Sequence, residues 1–217
     1  MTDEATVFVV DDDASVRRSL TRLLRAAGWN VETLSTAQEF LQRAPVSEPA
    51  CVVLDVRMPE MSGPELHSQM TESGLSLPVI FLTAYGDVPT SVEAMKRGAV
   101  DFLLKPVDAA VLLQAVTRAV ESHAAELSRR KGRQHVLACL AQLTTRERQV
   151  LDAVICGHRN KQIAADLGIS EKTVKVHRGR VMEKMEVRSV AQLVHLCETA
   201  GIGSDSPGAR RSMLSGR

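Results

Sequence analysis

The sequence has few aromatic residues, no closely spaced cysteines and no long apolar run. Only six of its 217 residues are aromatic, one Trp, one Tyr and four Phe, which argues against a surface that stacks single-stranded bases. The cysteines lie far apart without a C-x-x-C pair, so a zinc site or a disulfide framework has little support and buried free thiols are expected. They are Cys51, Cys139, Cys156 and Cys197. No apolar stretch approaches the roughly 18 residues of a membrane-spanning helix, and the N-terminus lacks a signal-peptide pattern. We therefore expect a cytoplasmic protein with no membrane partner.

Charge divides the chain into two halves of opposite character. The length favours two domains, and 44% hydrophobic and 24% charged residues are typical of globular proteins. Residues 1–120 contain 10 Lys and Arg against 16 Asp and Glu, a net charge of −6, whereas residues 121–217 contain 17 against 10, a net charge of +7. An acidic half can gather carboxylates around a cation, and a basic half can face a polyanion such as DNA.

The acidic half alternates short apolar runs with helical patterns. The runs of strand length are Thr6–Val10, Val31–Leu34, Cys51–Leu54, Val79–Leu82 and Asp101–Leu104. Gly28 is typical of a helix end, Ser35 and Gln38 indicate a capping box, Pro64 suits a first helical turn, and Gly98 follows another helix. Five strands with intervening helices predict an α/β fold whose parallel sheet is covered on both faces.

Polar residues stand at the carboxyl ends of four of these strands, where such sheets bind ligands. Asp11–Asp13 end the first strand, Asp55 the third, Thr83 the fourth, and Lys105 with Pro106 the fifth. Two carboxylates about 4 Å apart repel by roughly 4 kcal/mol at an effective dielectric of 20, so the cluster needs a cation. Oxygen ligands with room for water and phosphate favour Mg²⁺. Such a site can transfer a phosphoryl group, with Asp55 as nucleophile, Lys105 as fixed cation and Thr83 as hydroxyl donor.

Each residue also has a simpler interpretation when taken alone. An acidic run is usual at a helix N-terminus, where carboxylates interact favourably with the helix dipole. Thr83 could be a turn hydroxyl, and Lys105 a solvated charge. Their joint occurrence at successive strand ends favours the phosphoryl site.

The segments VVDDD, LDVRMPEMSG, FLTAYGD and DFLLKP resemble the receiver domain of two-component response regulators, over residues 5–120. The resemblance implies a flavodoxin-like (βα)5 fold in which Asp55 accepts a phosphoryl group from a sensor histidine kinase. It also implies that Asp12, Asp55 and the backbone carbonyl of Arg57 bind Mg²⁺ with help from Asp11. A cis peptide bond before Pro106 is implied as well.

The same resemblance implies a switch. A phosphoryl group beside Thr83 and Lys105 should draw the Thr83 hydroxyl inward, and Phe102 could then fill the vacated space. Taken alone, Phe102 is more simply interpreted as an ordinary core aromatic. A shift of the helix over residues 88–97 would alter the dimerisation surface, with Val92 and Met95 either as contacts or in the core.

Two polar segments flank the basic half. Residues 121–137 are predicted to extend the last receiver helix as a linker, with Gly132 as a break. The cationic residues of this linker are more simply interpreted as solvated than as bound to phosphates. They are Arg129, Arg130, Lys131 and Arg133. The tail over residues 201–217 is predicted to be disordered.

The basic half has the pattern of a helix-turn-helix. Thr144 and Glu147 form a capping box ahead of an apolar helix that Gly157 ends. Asn160 is expected to cap a short helix, and Gly168 to turn the chain. Ser170 is then expected to cap a longer helix from Glu171 to about Met185.

The longer helix has an inner and an outer face. Val174, Val181 and Met185 fall on the core arc, with Arg178 at its flank. The outer arc and its edges hold Lys172, Thr173, Lys175, Val176, Gly179, Arg180 and Glu183. Cationic side chains around a small apolar side chain suit the major groove of DNA. The cations can reach phosphates or guanine, and Val176 can contact a thymine methyl group. The alternative is an amphipathic helix whose charges only keep it soluble, but the regional charge favours DNA.

The segments LTTRERQVL, GHRNKQIAADLGIS and EKTVKVHRGRVMEKMEV resemble the LuxR-type output domain of the NarL/FixJ class, most closely the FixJ-like subgroup. The resemblance implies an all-α four-helix domain over residues 138–200, with its helix-turn-helix at about Asn160 to Gly179. The implied DNA contacts are Lys175 and Val176 to bases and Lys161 and Thr173 to the backbone. We add Lys172 and Arg180 from the outer face; Gly179 departs from relatives with a basic residue there. Arg178 is expected to pair with Glu147.

Together the two halves predict a phosphorylation-dependent DNA-binding transcriptional regulator rather than an enzyme acting on other substrates. The expected partners are a sensor histidine kinase, double-stranded promoter DNA, a second copy of the chain after phosphorylation, and RNA polymerase. Two alternatives remain: a phosphate sink with vestigial DNA binding, and a constitutive DNA-binding protein with a silent receiver.

Overall fold

The structure is a computed structural model that describes residues 5–43, 47–84 and 101–202. The predicted helix over residues 88–97, with Val92 and Met95, lies outside the described residues, as do Gly98 and the tail beyond residue 202. The chain divides into two compact units, residues 1–128 and 129–217, which are described separately below.

The first unit is built on a five-stranded sheet in which every pair is parallel. The strands are β1 (Thr6–Val10), β2 (Asn30–Leu34), β3 (Ala50–Asp55), β4 (Val79–Thr83) and β5 (Asp101–Leu104). They lie in the order β2-β1-β3-β4-β5. All five predicted strands are confirmed to within a residue at each end.

Side chains that alternate along the strands form a core on each face of the sheet. Helices α1 (Ala14–Ala26), α2 (Ala37–Leu41) and α3 (Gly63–Glu72) precede the long helix α4 (Ala109–Ala141). One core combines residues of β1, β3 and β4 with Phe40 and Leu66, and the other combines their alternate neighbours with Leu24 and Leu112. This is the predicted doubly covered α/β fold.

Of two local signals in this unit, one agrees with prediction and one differs from it. Gly28 follows α1 with a φ of 87°, as expected of a glycine after a helix. The predicted capping box is displaced by one residue, because Thr36 caps α2 and accepts a hydrogen bond from the Glu39 amide. The Glu39 carboxylate reaches back to the amide of Ser35.

Helix α4 is continuous for 33 residues, so the predicted extension of the receiver helix is confirmed and the predicted break at Gly132 is wrong. A glycine inside a helix costs only about 1 kcal/mol relative to alanine, and strong helix formers flank this one. Near the middle of the helix, the backbone amide of Ala50 donates a 2.9 Å hydrogen bond to Nδ1 of the buried His123. This bond fixes α4 against β3.

The second unit is helical. After the last turns of α4 come α5 (Thr145–Ile155), α6 (Asn160–Leu167), α7 (Glu171–Lys184) and α8 (Val190–Thr199) around one apolar core. The capping box of Thr144 and Glu147 and the Ser170 cap are confirmed. Asn160 is the first helical residue rather than the cap, which is Arg159. Gly168 has a φ of 65°, which turns the chain sharply between α6 and α7.

Three of the cysteines are buried, as expected: Cys51, Cys139 and Cys197. The expectation is wrong for Cys156, which is exposed at the C-terminal end of α5. Within the three described ranges, no helix has the length and apolar character needed to cross a membrane.

Candidate functional site

The parallel register brings the four polar strand ends to one edge of the sheet. Val10 pairs with Leu54, so Asp11 and Asp55 follow matched positions on β1 and β3. Asp55 pairs with Leu82, one residue before Thr83. Thr83 pairs with Leu104, one residue before Lys105. The sheet thus places these side chains at its carboxyl edge, as the sequence predicts.

Lys105 bridges two buried carboxylates at this edge. Its Nζ lies 2.7 Å from Oδ2 of Asp11 and 2.7 Å from Oδ1 of Asp55. Burial raises the pKa of Asp55, and the hydrogen bond from Lys105 offsets only part of that rise. Burial alone would lower the pKa of Lys105, but its hydrogen bonds to Asp11 and Asp55 raise it instead. The lysine is therefore held as a cation between two acidic groups.

The three aspartates after β1 have different surroundings. Asp13 caps α1 by accepting a 2.7 Å hydrogen bond from the Ser15 amide. Asp11 is 1% exposed, and its Oδ1 accepts from the Asp13 amide while its Oδ2 accepts from Lys105. Asp12 is exposed. The helix-cap interpretation of the acidic run thus describes Asp13, whereas Asp11 and Asp12 remain beside Asp55.

The donor set fits a hard divalent cation. Carboxylate oxygens of Asp11, Asp12 and Asp55 all lie within 4.8 Å of one another. Magnesium takes one or two protein carboxylates and keeps several waters, which the exposed side at Asp12 allows. Both Asp11 oxygens also accept hydrogen bonds, one from the Asp13 amide and one from Lys105. Arg57 is exposed two residues beyond the end of β3.

Thr83 and Phe102 lie on neighbouring strands. Thr83 is buried, and its Oγ1 donates a 3.2 Å hydrogen bond to the carbonyl of Ala84. Phe102 is partly buried and stacks on Phe81 with ring centroids 4.8 Å apart. The bond between Lys105 and Pro106 is cis, as the resemblance implies.

Sequence reasoning missed two residues that support the site. A Cβ on Gly63 would lie 2.4 Å from the Asp55 carbonyl oxygen, so only glycine allows α3 to start this close to Asp55. The signal in the sequence that could have identified Gly63 is the glycine that ends the segment MPEMSG. Arg17 on α1 donates a 2.6 Å hydrogen bond to the carbonyl of Asp11. Nothing in its spacing distinguishes Arg17 from the other arginines of α1.

Helix α7 in the second unit presents the predicted outward face. Its exposed residues include Lys172, Thr173, Lys175, Val176, Gly179 and Arg180. Val176 is 49% exposed, whereas Val174 and Val181 are buried. Lys161 is exposed on α6.

The predicted pair of Arg178 with Glu147 is wrong. Arg178 Nη1 donates a 2.7 Å hydrogen bond to Oδ1 of Asn160 and so ties α7 to the start of α6. Glu147 instead lies 2.7 Å from Nζ of Lys184. The hydrogen bonds from Lys184 and from the Thr144 amide lower the pKa of Glu147 to about 2. Both polar bonds fix the helices behind the outward face.

Two family models match the chain in succession. The response regulator receiver domain matches residues 7–117, and the LuxR family of bacterial regulatory proteins matches residues 141–197. The match boundaries enclose the acidic pocket in the first case and the outward face of α7 in the second.

Similar proteins extend over nearly the whole chain. The transcriptional regulatory protein FixJ of Rhizobium meliloti is 44% identical over 94% of this chain and 99% of its own. Nodulation protein W of Bradyrhizobium diazoefficiens is 43% identical over 93% and 89%. The solved structure of the response regulator StyR is 49% identical, with a TM-score of 0.82 over 90% of this chain and 98% of its own. The chain belongs to the two-component response regulators that join a receiver domain to a LuxR-type DNA-binding domain.

Proposed function

We propose that this two-component transcriptional regulator is switched by phosphorylation of Asp55. The observation that carries the proposal is the bridge of Lys105 between Asp11 and Asp55. A fixed cation there can neutralise oxygens of a transferring phosphoryl group, and the raised pKa of Asp55 accompanies its burial in the same pocket. The phosphoryl donor is a sensor histidine kinase, whose phosphohistidine supplies the group.

The chemistry is a single displacement at phosphorus. A carboxylate oxygen of Asp55 forms the new P–O bond while the P–N bond of the phosphohistidine breaks, and the leaving imidazole takes up a proton. Asp12 and Asp55, with the backbone carbonyl of Arg57, would hold Mg²⁺, and Asp11 would assist through water. The ion would neutralise phosphoryl oxygens when bound. Lys105 and the Thr83 hydroxyl stabilise the remaining oxygens. Water later hydrolyses the acyl phosphate, so the only reactions are on the protein itself.

The phosphoryl group then changes the receiver surface. Phosphorylation replaces the single negative charge of the Asp55 carboxylate with a phosphoryl group that carries about −1.5 to −2 charges, and its three acceptor oxygens attract the Thr83 hydroxyl away from the carbonyl of Ala84. Phe102 follows into the space released. We propose that the altered surface pairs with a second copy, and that two output domains then bind two half-sites. Doubling the phosphate contacts raises affinity by a salt-dependent factor, so a coupling of about 1 to 3 kcal/mol is sufficient.

The outward face of α7 is the proposed reader of DNA. Lys175 and Val176 contact base edges in the major groove, while Lys161, Lys172, Thr173 and Arg180 contact phosphates. Bound dimers would present the chain to RNA polymerase in the cytoplasm, where promoter DNA lies.

The test is phosphorylation followed by DNA selection. The full chain is treated with Mg²⁺ and acetyl phosphate, and mass spectrometry is expected to locate one added phosphoryl group at Asp55. Asp55→Asn should abolish it, and Asp108→Asn, at an exposed helix cap outside the pocket, should not. Selection from a random duplex pool should then yield two half-sites with the phosphodonor and weak enrichment without it. No added phosphoryl group on Asp55 would refute the proposal.

The same experiment separates the alternatives. A phosphate sink would bind no DNA at low salt in either state. A constitutive DNA-binding protein would select the same sequences whether or not Asp55 is replaced. Lys161→Ala should reduce the slope of log affinity against log salt by about 0.9 on every sequence, whereas Val176→Ala should relax the preference at one base pair. Arg22→Ala, which removes an exposed cation from the receiver, is the matched control.

A further inference from the structure

A second cluster of metal-ligating side chains lies in the helical unit, away from the acidic pocket. It consists of His135 and Cys139 on α4 and Glu186 in the turn after α7, and one ligand atom from each lies within 4.8 Å of the others. We propose that these three residues form a binding site for Zn²⁺ or a cation of similar softness. The proposal does not depend on the phosphoryl chemistry of Asp55.

Local structure brings the three side chains together. His135 and Cys139 are four residues apart on a continuous helix, so they share one face. Glu186 has a φ of 55°, and its amide donates a 3.1 Å hydrogen bond to the carbonyl of Glu183. The neighbouring Met185 is 1% exposed in the core and anchors this turn. The Glu186 side chain is thereby directed to the helix that carries the other two.

Two of the three distances between ligand atoms are close to the edges of a zinc tetrahedron, and the third is at most 4.8 Å. Zn–S bonds of about 2.3 Å and Zn–N and Zn–O bonds of about 2.0–2.2 Å place neighbouring ligand atoms roughly 3.3–3.6 Å apart. Nε2 of His135 lies 3.7 Å from Sγ of Cys139 and 3.2 Å from Oε2 of Glu186. The histidine nitrogen therefore lies close to the spacing that a shared metal requires from each of the other two ligand atoms.

Hydrogen bonds among the three side chains explain this geometry less completely than a bound metal ion does. The sulfur and the carboxylate oxygen both face the same ring nitrogen, which carries at most one hydrogen. A cation placed between the three atoms would interact with all of them at once. The side chains of His135 and Glu186 are 55% and 66% exposed, so a metal can enter and a water can complete a fourth position.

The ligand types favour a borderline-soft metal. Sulfur, imidazole nitrogen and one carboxylate oxygen suit Zn²⁺, whereas Mg²⁺ prefers oxygen alone. Bound zinc would tie the last turns of α4 to the end of α7, the helix with the proposed DNA-contacting face. Metal binding would therefore stabilise the helical unit.

The experiment uses Co²⁺ as a spectroscopic substitute for Zn²⁺ on the full chain. One equivalent of Co²⁺ is expected to bind at these three residues, with tetrahedral d–d bands and a thiolate-to-cobalt charge-transfer band, and Zn²⁺ should displace this cobalt. The charge-transfer band distinguishes this site from the all-oxygen pocket at Asp55. Cys139→Ala should abolish the band, and Cys156→Ala, at the exposed cysteine, should leave it unchanged.

Glu186→Gln provides a variant whose fold does not depend on a buried side chain. It should keep the circular dichroism of the parent and weaken Zn²⁺ affinity at least about tenfold, the effect of losing even an indirect metal partner. His158→Ala removes a histidine from another histidine–carboxylate pair, His158 with Asp166, and should leave affinity unchanged. Absence of a thiolate band, or equal affinity in the parent and the Glu186→Gln variant, would overturn the proposal.

Discussion

Gly179 offers a direct test of how helix α7 is built. It lies inside the helix Glu171–Lys184 and is exposed, and a Cβ at this position would meet no atom within 4 Å. An exposed glycine inside a helix is about 0.8–1.0 kcal/mol less favourable than alanine. Gly179→Ala should therefore raise the free energy of unfolding of the helical unit by about this amount. For a domain of this size, 1 kcal/mol corresponds to a rise of about 4–8 °C in Tm.

Two other glycines calibrate the measurement. Gly132→Ala should also stabilise, because Gly132 is exposed inside α4 and a Cβ there likewise meets no atom. Gly168→Ala should destabilise by about 1–2 kcal/mol, because its φ of 65° is unfavourable for any residue with a Cβ. Urea denaturation followed by circular dichroism gives all three free energies. If Gly179→Ala lowers stability while Gly132→Ala raises it, the helical conformation assigned to position 179 is wrong.

Three further substitutions have predicted effects on stability or on DNA binding. The lowered pKa of Glu147 contributes stability that is present above about pH 4.5 and lost as the pH falls toward about 2. Lys184→Met should therefore cost more stability at pH 6 than at pH 2, where only its hydrogen bond to the Gln142 carbonyl is lost, and an equal cost at both values in acid titrations would contradict this. Lys105→Met should destabilise the receiver by about 3–5 kcal/mol because two buried carboxylates lose their partner. Added Mg²⁺ should restore part of that loss in urea denaturation; no recovery would argue against a cation site. Gly179→Lys should increase the salt slope of DNA binding by about 0.9, measured by fluorescence anisotropy, and an unchanged slope would place this face away from phosphates.

The sequence predicts the acidic pocket well because residues that directly follow parallel strands lie at the same edge of the sheet. Once the apolar runs are recognised as strands, their carboxyl ends must meet, and Asp11, Asp55, Thr83 and Lys105 follow without further information. The support from Gly63 could not be predicted in this way. Its requirement comes from the closeness of α3 to the Asp55 carbonyl, and that distance is set by packing.

The errors in the helical unit have a related cause. A helical wheel shows which residues of α7 face the core but not where along the axis a neighbouring helix crosses. Arg178 and Lys184 both flank the core face, and only the packing brings Lys184 to Glu147 and Arg178 to Asn160. The cap of α6 is one residue earlier than predicted, because the Asn160 side-chain oxygen accepts from Arg178 instead of from the helix start, while the Arg159 amide donates to the Gln162 side chain.

The register of β4 and β5 also explains how a charge at the pocket would reach the aromatic pair. Phe81 and Thr83 are two residues apart on β4 and so share one face, and Phe81 pairs directly with Phe102 on β5. The amide of Lys105 donates a 2.7 Å hydrogen bond to the carbonyl of Thr83, so the two residues proposed to bind the phosphoryl group are joined through the backbone. A movement of the Thr83 side chain toward a phosphoryl group would therefore leave space on the face where Phe102 stacks, while Lys105 keeps the two strand ends in register. The first step of the proposed switch requires only this local rearrangement, because strand pairing already links Thr83, Lys105 and the two aromatic rings.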